Sequence, residues 1–135
     1  MRLFLDTNIF LEVLLDQTKA EEVTDLLSTG NRHNFFLSDF TLHSIGVLLF
    51  RHKLHETYQQ FIRDIIFTSG FAIVSLSPEE MFSVAQASKN FNIDFDDAYQ
   101  YAAASKQNLV MVSFDKDFDK TDLKRKEPAD ILSEA

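Results

Sequence analysis

Aspartates in three separated stretches carry the chemistry this sequence could perform. Asp6 closes the apolar run Arg2-Leu3-Phe4-Leu5, Asp94, Asp96 and Asp97 crowd one short segment, and Asp115 and Asp117 follow the run Leu109-Val110-Met111-Val112-Ser113. Taken singly, each has a plain structural use. Asp94 is a good helix N-cap, an acid in a first helical turn suits the helix dipole, and residues 115–122 read as a solvated loop. Gathered at one place, the same residues need something more. Two unit charges about 5 Å apart still repel by roughly 3 kcal/mol at an effective dielectric near 20, so three carboxylates at one rim require protons or a cation. The four histidines (His33, His43, His52, His55) show no metal-ligand spacing and the chain has no cysteine. Oxygen ligands alone favour a hard divalent ion, Mg²⁺ or Mn²⁺.

The elements that must position these residues are legible in outline. Residues 2–5 read as a strand, and Asn8 is placed to N-cap a helix carrying Ile9, Leu11, Val13, Leu14 and Leu15. Thr18 and Glu21 have capping-box spacing for a second helix that Gly30 would end. Residues 33–37 form the next strand, and Ser38 or Asp39 caps a helix to about Arg51. A further helix from near Leu54 to Ser69 shows the apolar stripe Tyr58, Phe61, Ile62, Ile65 and Ile66 and stops at Gly70. Residues 71–76 are β-rich, Ser77-Pro78-Glu79-Glu80 starts a helix that fades near Asn90, and another spans about Asp94 to Lys106. Residues 109–113 read as a continuously buried strand.

Strands alternating with helices predict a three-layer α/β/α sandwich with a central, mostly parallel sheet, and a single domain over residues 1–135. Open sheets of this kind bind ligands beyond the carboxyl ends of their strands, and Asp6 and Asp115 follow two such ends. Asp94 and Asp97 share a helical face at i, i+3, whereas Asp96 points roughly 100° away. Asp97 is therefore the expected ligand, with Asp94 as an outer or water-mediated partner.

Composition removes several function classes. Zero cysteines exclude thiol catalysis, zinc-thiolate sites and disulfides, as suits a reducing cytosol. Asp6 and Glu12 interrupt the apolar N-terminal stretch, so it is neither a signal-peptide core nor a membrane span, and a cytoplasmic protein is expected. Gly30, Gly46 and Gly70 are too scattered for a phosphate-cradling loop. A net charge of −8 speaks against unspecific nucleic-acid coating. A phosphatase with an aspartyl nucleophile at Asp6 would want a general acid two residues on, where Asn8 stands.

The segments FLDTNIFLEVLL, LSDFTLHSIGVLLF, IDFDDAYQYAAA and LVMVSFDKDFDK span nearly the whole chain in order. Together they resemble the PIN-domain ribonucleases, including VapC-like toxins of toxin–antitoxin pairs. The resemblance implies Asp6, Asp97 and Asp115 as metal-binding carboxylates, with Asn8 near the first and Ser113 and Asp117 in support. It also implies cleavage of single-stranded RNA by a metal-activated water, an antitoxin partner and a homodimer. The chain departs from the family at one place: on the pattern S-x-x-T-x-x-E, the glutamate position falls on Ser44. Asp39 or His43 could compensate, although neither matches the motif. Two readings follow, an active ribonuclease and a catalytically weakened PIN-like scaffold that binds RNA or a protein partner.

Two basic clusters, residues 51–55 and Lys116, Lys120, Lys124, Arg125 and Lys126, are placed to meet phosphates but read first as polar surface. Of the fourteen phenylalanines, Phe4, Phe36, Phe61 and Phe71 belong to apolar faces, whereas Phe91 and Phe95, in the loop before the Asp97 helix, are the candidates for exposed or interfacial rings.

Overall fold

A computed structural model describes residues 1–134. Four parallel strands, β1 (Arg2–Leu5), β2 (Asn34–Ser38), β3 (Ala72–Val74) and β4 (Val110–Val112), lie in the order β3-β2-β1-β4. Seven helices connect and cover them: α1 (Thr7–Leu14), α2 (Ala20–Leu27), α3 (Asp39–Arg51), α4 (His55–Ile62), α5 (Met81–Phe91), α6 (Phe95–Lys106) and α7 (Pro128–Ser133). Strand alternation produces the layers. Leu3, Leu5, Phe35 and Leu37 enter a core with Ile9, Val23, Ile45 and Phe61 from α1 to α4, while Phe4 and Met111 point the other way, onto Ala103 and Ala104 of α6 and onto Phe118. Helices α5 and α6 seal the second layer through Val84, Ala87 and Ala98, with Ile93 from the turn between them. The expected three-layer α/β/α sandwich is the fold. Among the described residues, no helix is long and apolar enough to cross a membrane.

Strand order positions the site. From β1 the chain builds outward to β2 and β3, then returns to place β4 on the other side of β1, so the order reverses at β1. Leu5 pairs with Val112, and the Asp6 amide extends the ladder by donating to the Val112 carbonyl (3.0 Å). The ends of β1 and β4 are thereby adjacent, and α6, which runs directly into β4, begins at the same edge.

Several local expectations are corrected. Asp6, not Asn8, caps α1, its carboxylate accepting the Thr7 amide (2.8 Å). The Thr18–Glu21 box does not form: the Ala20 amide closes a turn onto the Gln17 carbonyl and Glu12 accepts the Lys19 amide (2.9 Å), so α2 starts without a side-chain cap. That helix ends at Ser28, short of Gly30. The helix from Leu54 changes character after Ile62, where residues 63–68 form a wider π turn, and Gly70 then leaves it at φ +70°. α7 lay outside the sequence reading, although Glu127 and Asp130 form a full capping box around Pro128. The segment entering it adds a single bridge to the edge of β4, where Lys126 bonds to Met111 and Ser113.

Candidate metal centre at the β1–β4 edge

Each acidic residue reaches the edge by a local cause. Asp6 is the first residue beyond β1, where its helix-capping geometry turns the chain into α1. Asp97 is placed by α6, whose N-cap Asp94 accepts the Asp97 amide (3.1 Å). Asp115 follows β4 and caps a short 3₁₀ turn, Lys116–Lys120, by accepting the Asp117 amide (2.9 Å), which folds Asp117 back toward it. Carboxylate oxygens of Asp97, Asp115 and Asp117 consequently lie within 4.8 Å of one another. The sequence reading gave Asp117 only a supporting part.

Asp6 stands outside that trio, held by donors on both oxygens. Oδ1 accepts from the Thr7 amide and Gln100 Nε2 (3.0 Å), and Oδ2 accepts from Ser113 Oγ (2.7 Å). A carboxylate has about four acceptor positions, so this bonding leaves Oδ2 able to take one more partner. Burial, opposed by these hydrogen bonds and assisted by Asp115, raises its pKa above the ordinary value. Asp97 is the more perturbed group. It is 8% exposed, and burial followed by the charges of Asp115, Asp94, Asp6 and Asp117 pushes its pKa up to about 8. Protons or a cation must relieve this group, and the oxygen-only donor set fits Mg²⁺ or Mn²⁺.

The remaining expected residues divide. Asn8 bridges the two strand ends, donating to Ser113 Oγ (3.2 Å) and accepting the Phe114 amide (3.3 Å). Ser113 in turn accepts the Asp115 amide (2.9 Å), so one hydroxyl links Asp6, Asn8 and Asp115. Ser44 lines an open cleft of about 210 Å³ together with Asp6, Asn8, Phe40, Asp97 and Gln100. Asp39 and His43 do not replace a carboxylate there: Asp39 accepts from Tyr99 Oη (2.7 Å) and the Phe40 amide, and His43 lines a different concavity with Val47 and Phe50. In the second basic cluster, Lys120, Arg125 and Lys126 pair with Asp117, Asp119 and Glu127, and Glu134 respectively.

Sequence reasoning missed Gln100. Its buried amide donates to Asp6 and to Thr41 Oγ1 (2.8 Å) and accepts from Ser38 Oγ, while Thr41 and Thr7 share a hydrogen bond (2.8 Å). This network orients Asp6 from α6, β2 and α3 at once. The available signal was a lone amide one turn after Asp97, amid the alanines Ala98, Ala102, Ala103 and Ala104.

A family profile described as the PIN domain matches residues 3–124. No curated protein sequence matches significantly. Among solved structures, VapBC2 from Rickettsia felis, crystallised with a fragment of promoter DNA, is similar at TM-score 0.74 and 18% identity over 93% of this chain and 96% of that one. VapC20 of Mycobacterium tuberculosis, described as a toxin cleaving the sarcin–ricin loop, gives TM-score 0.73 and 17% identity over 93% and 99%. FitAcB from Neisseria gonorrhoeae gives TM-score 0.70 and 22% identity over 96% and 99%.

Proposed function

The chain belongs to the PIN-domain family, and from that premise we propose that it is a metal-dependent endoribonuclease that hydrolyses single-stranded RNA, the toxin of a toxin–antitoxin pair. The observation that carries this reading is the gathering of Asp97, Asp115 and Asp117 within 4.8 Å at the switch point of the sheet, with Asp97 and buried Asp6 lining an open cleft there. Asp6, Asp97 and Asp115, with Asp117, would hold the ion, and Asp94 would act on it at one remove through its charge and its cap. When bound, Mg²⁺ or Mn²⁺ lowers the pKa of a water and stabilises charge developing on a phosphodiester. The chain's own part is positioning. Gln100 and Ser113 fix both oxygens of Asp6, Ser113 orders the backbone of Asp115, and Asp97 can carry a proton near neutrality until a cation displaces it.

The VapBC2 and FitAcB neighbours support an antitoxin partner, and exposed Val47, Phe50 and Leu54 along and after α3 support a homodimer. Ser44, where the family pattern has a glutamate, favours a second reading, a weakened scaffold that binds RNA or protein without turnover. Cleavage of a single-stranded oligoribonucleotide in Mn²⁺ is the test. Activity should vanish in EDTA and in Asp97→Asn and Asp115→Asn while circular dichroism stays unchanged. Cleavage persisting in either variant would refute the proposed site.

A further inference from the structure

Four large aromatic rings are exposed along the described chain, Phe50, Phe67, Phe82 and Phe95, and the last stands apart from the others by its position. Phe67 lies in the π turn, Phe82 on the outer side of α5 and Phe50 near the end of α3; Phe95 does not line the cleft itself, but it packs against Phe40, which does. Phe95 is 54% exposed at the first position of α6, two residues before Asp97. Its ring centroid is 6.1 Å from that of Phe40, which lines the cleft, and 6.1 Å from that of Tyr99; Phe40 and Tyr99 are 5.6 Å apart. The three rings form a continuous aromatic step from the cleft wall to solvent.

The step is held from below. Tyr99 donates to Asp39 and accepts the Leu76 amide (3.2 Å), and the Asp39 carboxylate also accepts the Phe40 amide (2.9 Å). Phe95 therefore rests against two fixed rings, and its outer ring surface can meet a ligand without a large loss of side-chain freedom. A neutral ring beside a carboxylate cluster does not attract phosphates, and single-stranded nucleic acid offers a base at each nucleotide to stack on it.

From this arrangement we infer that Phe95, backed by Phe40 and Tyr99, is a stacking platform for a nucleobase adjacent to the scissile phosphate, so that bases as well as phosphates hold the substrate. The inference rests on the RNA reading above and deepens it. It assigns Phe95 a substrate-positioning role that the carboxylates do not supply.

The chain contains no tryptophan, so Phe95→Trp introduces a single indole at the platform, which can be excited at the red edge of its absorption where tyrosine does not absorb. In an Asp97→Asn background, in which cleavage should stop, a twelve-nucleotide oligoadenylate should quench this emission saturably. A sugar-phosphate chain of equal length without bases should bind about tenfold more weakly, a difference of about 1.4 kcal/mol, within the range of one stacked base. Phe95→Ala should erase that margin, with anisotropy of labelled oligonucleotide as the readout. Equal binding of the two chains, unquenched emission, or a Phe95→Ala change in sedimentation with no change in binding would each overturn the platform. Cleavage of oligoadenylate by the unaltered chain separates the failures. Cleavage without base-dependent binding rejects stacking alone, whereas neither cleavage nor binding rejects the nuclease reading with it.

Discussion

Asp97 titrates where burial, and after it the charges of neighbouring acids, make ionisation expensive. Its pKa in the folded protein is about 8 against an ordinary value of 3.8. Between those values the folded chain binds more protons than the unfolded one, so stability falls as pH rises. The contribution is fully present below about pH 4 and gone above about pH 8. The metal-free protein should therefore melt lower at pH 8.5 than at pH 5, and Asp97→Asn should flatten that part of the profile. An equally steep profile in the amide variant, measured by calorimetry in EDTA, would move the titration to another group. Ser44 allows a test with opposite signs. Because it shares the cleft with Asp6 and Asp97, Ser44→Glu should tighten Mn²⁺ binding while destabilising the metal-free protein by about 1 to 3 kcal/mol through like-charge repulsion. Unchanged affinity together with an unchanged melting point in EDTA would show that this side chain does not act on the cluster.

At the scale of elements, the start of α6 does two jobs that pull against each other. Asp94 caps the helix and thereby places Asp97, yet its charge is among those that raise the Asp97 pKa. Asp94→Asn keeps an acceptor for the Asp97 amide and removes the charge, so the metal-free protein should be as stable as the unaltered chain or more so. Asp94→Ala loses the cap and should cost about 1 kcal/mol. If denaturant melts place the two variants together, the cap is not what holds this helix start. The carboxyl end of β4 has a comparable brace. Arg125 donates to the Ser113 carbonyl (3.1 Å) while paired with Asp119 and Glu127, and the Lys126 carbonyl accepts the Ser113 amide (3.0 Å). The stretch leading to α7 thus fixes the residue that joins Asp6 to Asp115.

For the molecule as a whole, a net charge of −8 is partly an accumulation at this edge, since seven of its twenty-one acids fall between Asp94 and Asp122. A cation bound there stabilises the folded state alone. At about 100 times its dissociation constant it adds roughly 2.7 kcal/mol, which for a chain of this size is a melting shift of several degrees. Calorimetry in Mn²⁺ against EDTA should show that shift, and Asp115→Asn should reduce it. The same melting point in both buffers at millimolar metal would remove the shared site.

What the sequence determined by itself follows from local rules and from strand order. The buried runs at residues 2–5 and 109–113, the Ser38 and Asp94 caps and the polarity of α6 were legible because capping and periodicity act over a few residues. The parallel sandwich followed from alternation of strands and helices, and with it the expectation that Asp6 and Asp115 share an edge. Tertiary structure alone decided the rest. Asp117 joins Asp97 because a 3₁₀ turn folds it inward, and Gln100 becomes the buried clamp on Asp6 because α6 packs across β1 and β2. Asn8 surrendered its predicted capping role to Asp6 because the end of β4 offered it Ser113 and Phe114. Such assignments depend on which groups meet across 20 residues of chain, between Asp97 and Asp117, up to 107, between Asp6 and Ser113, and no local spacing rule reaches that far.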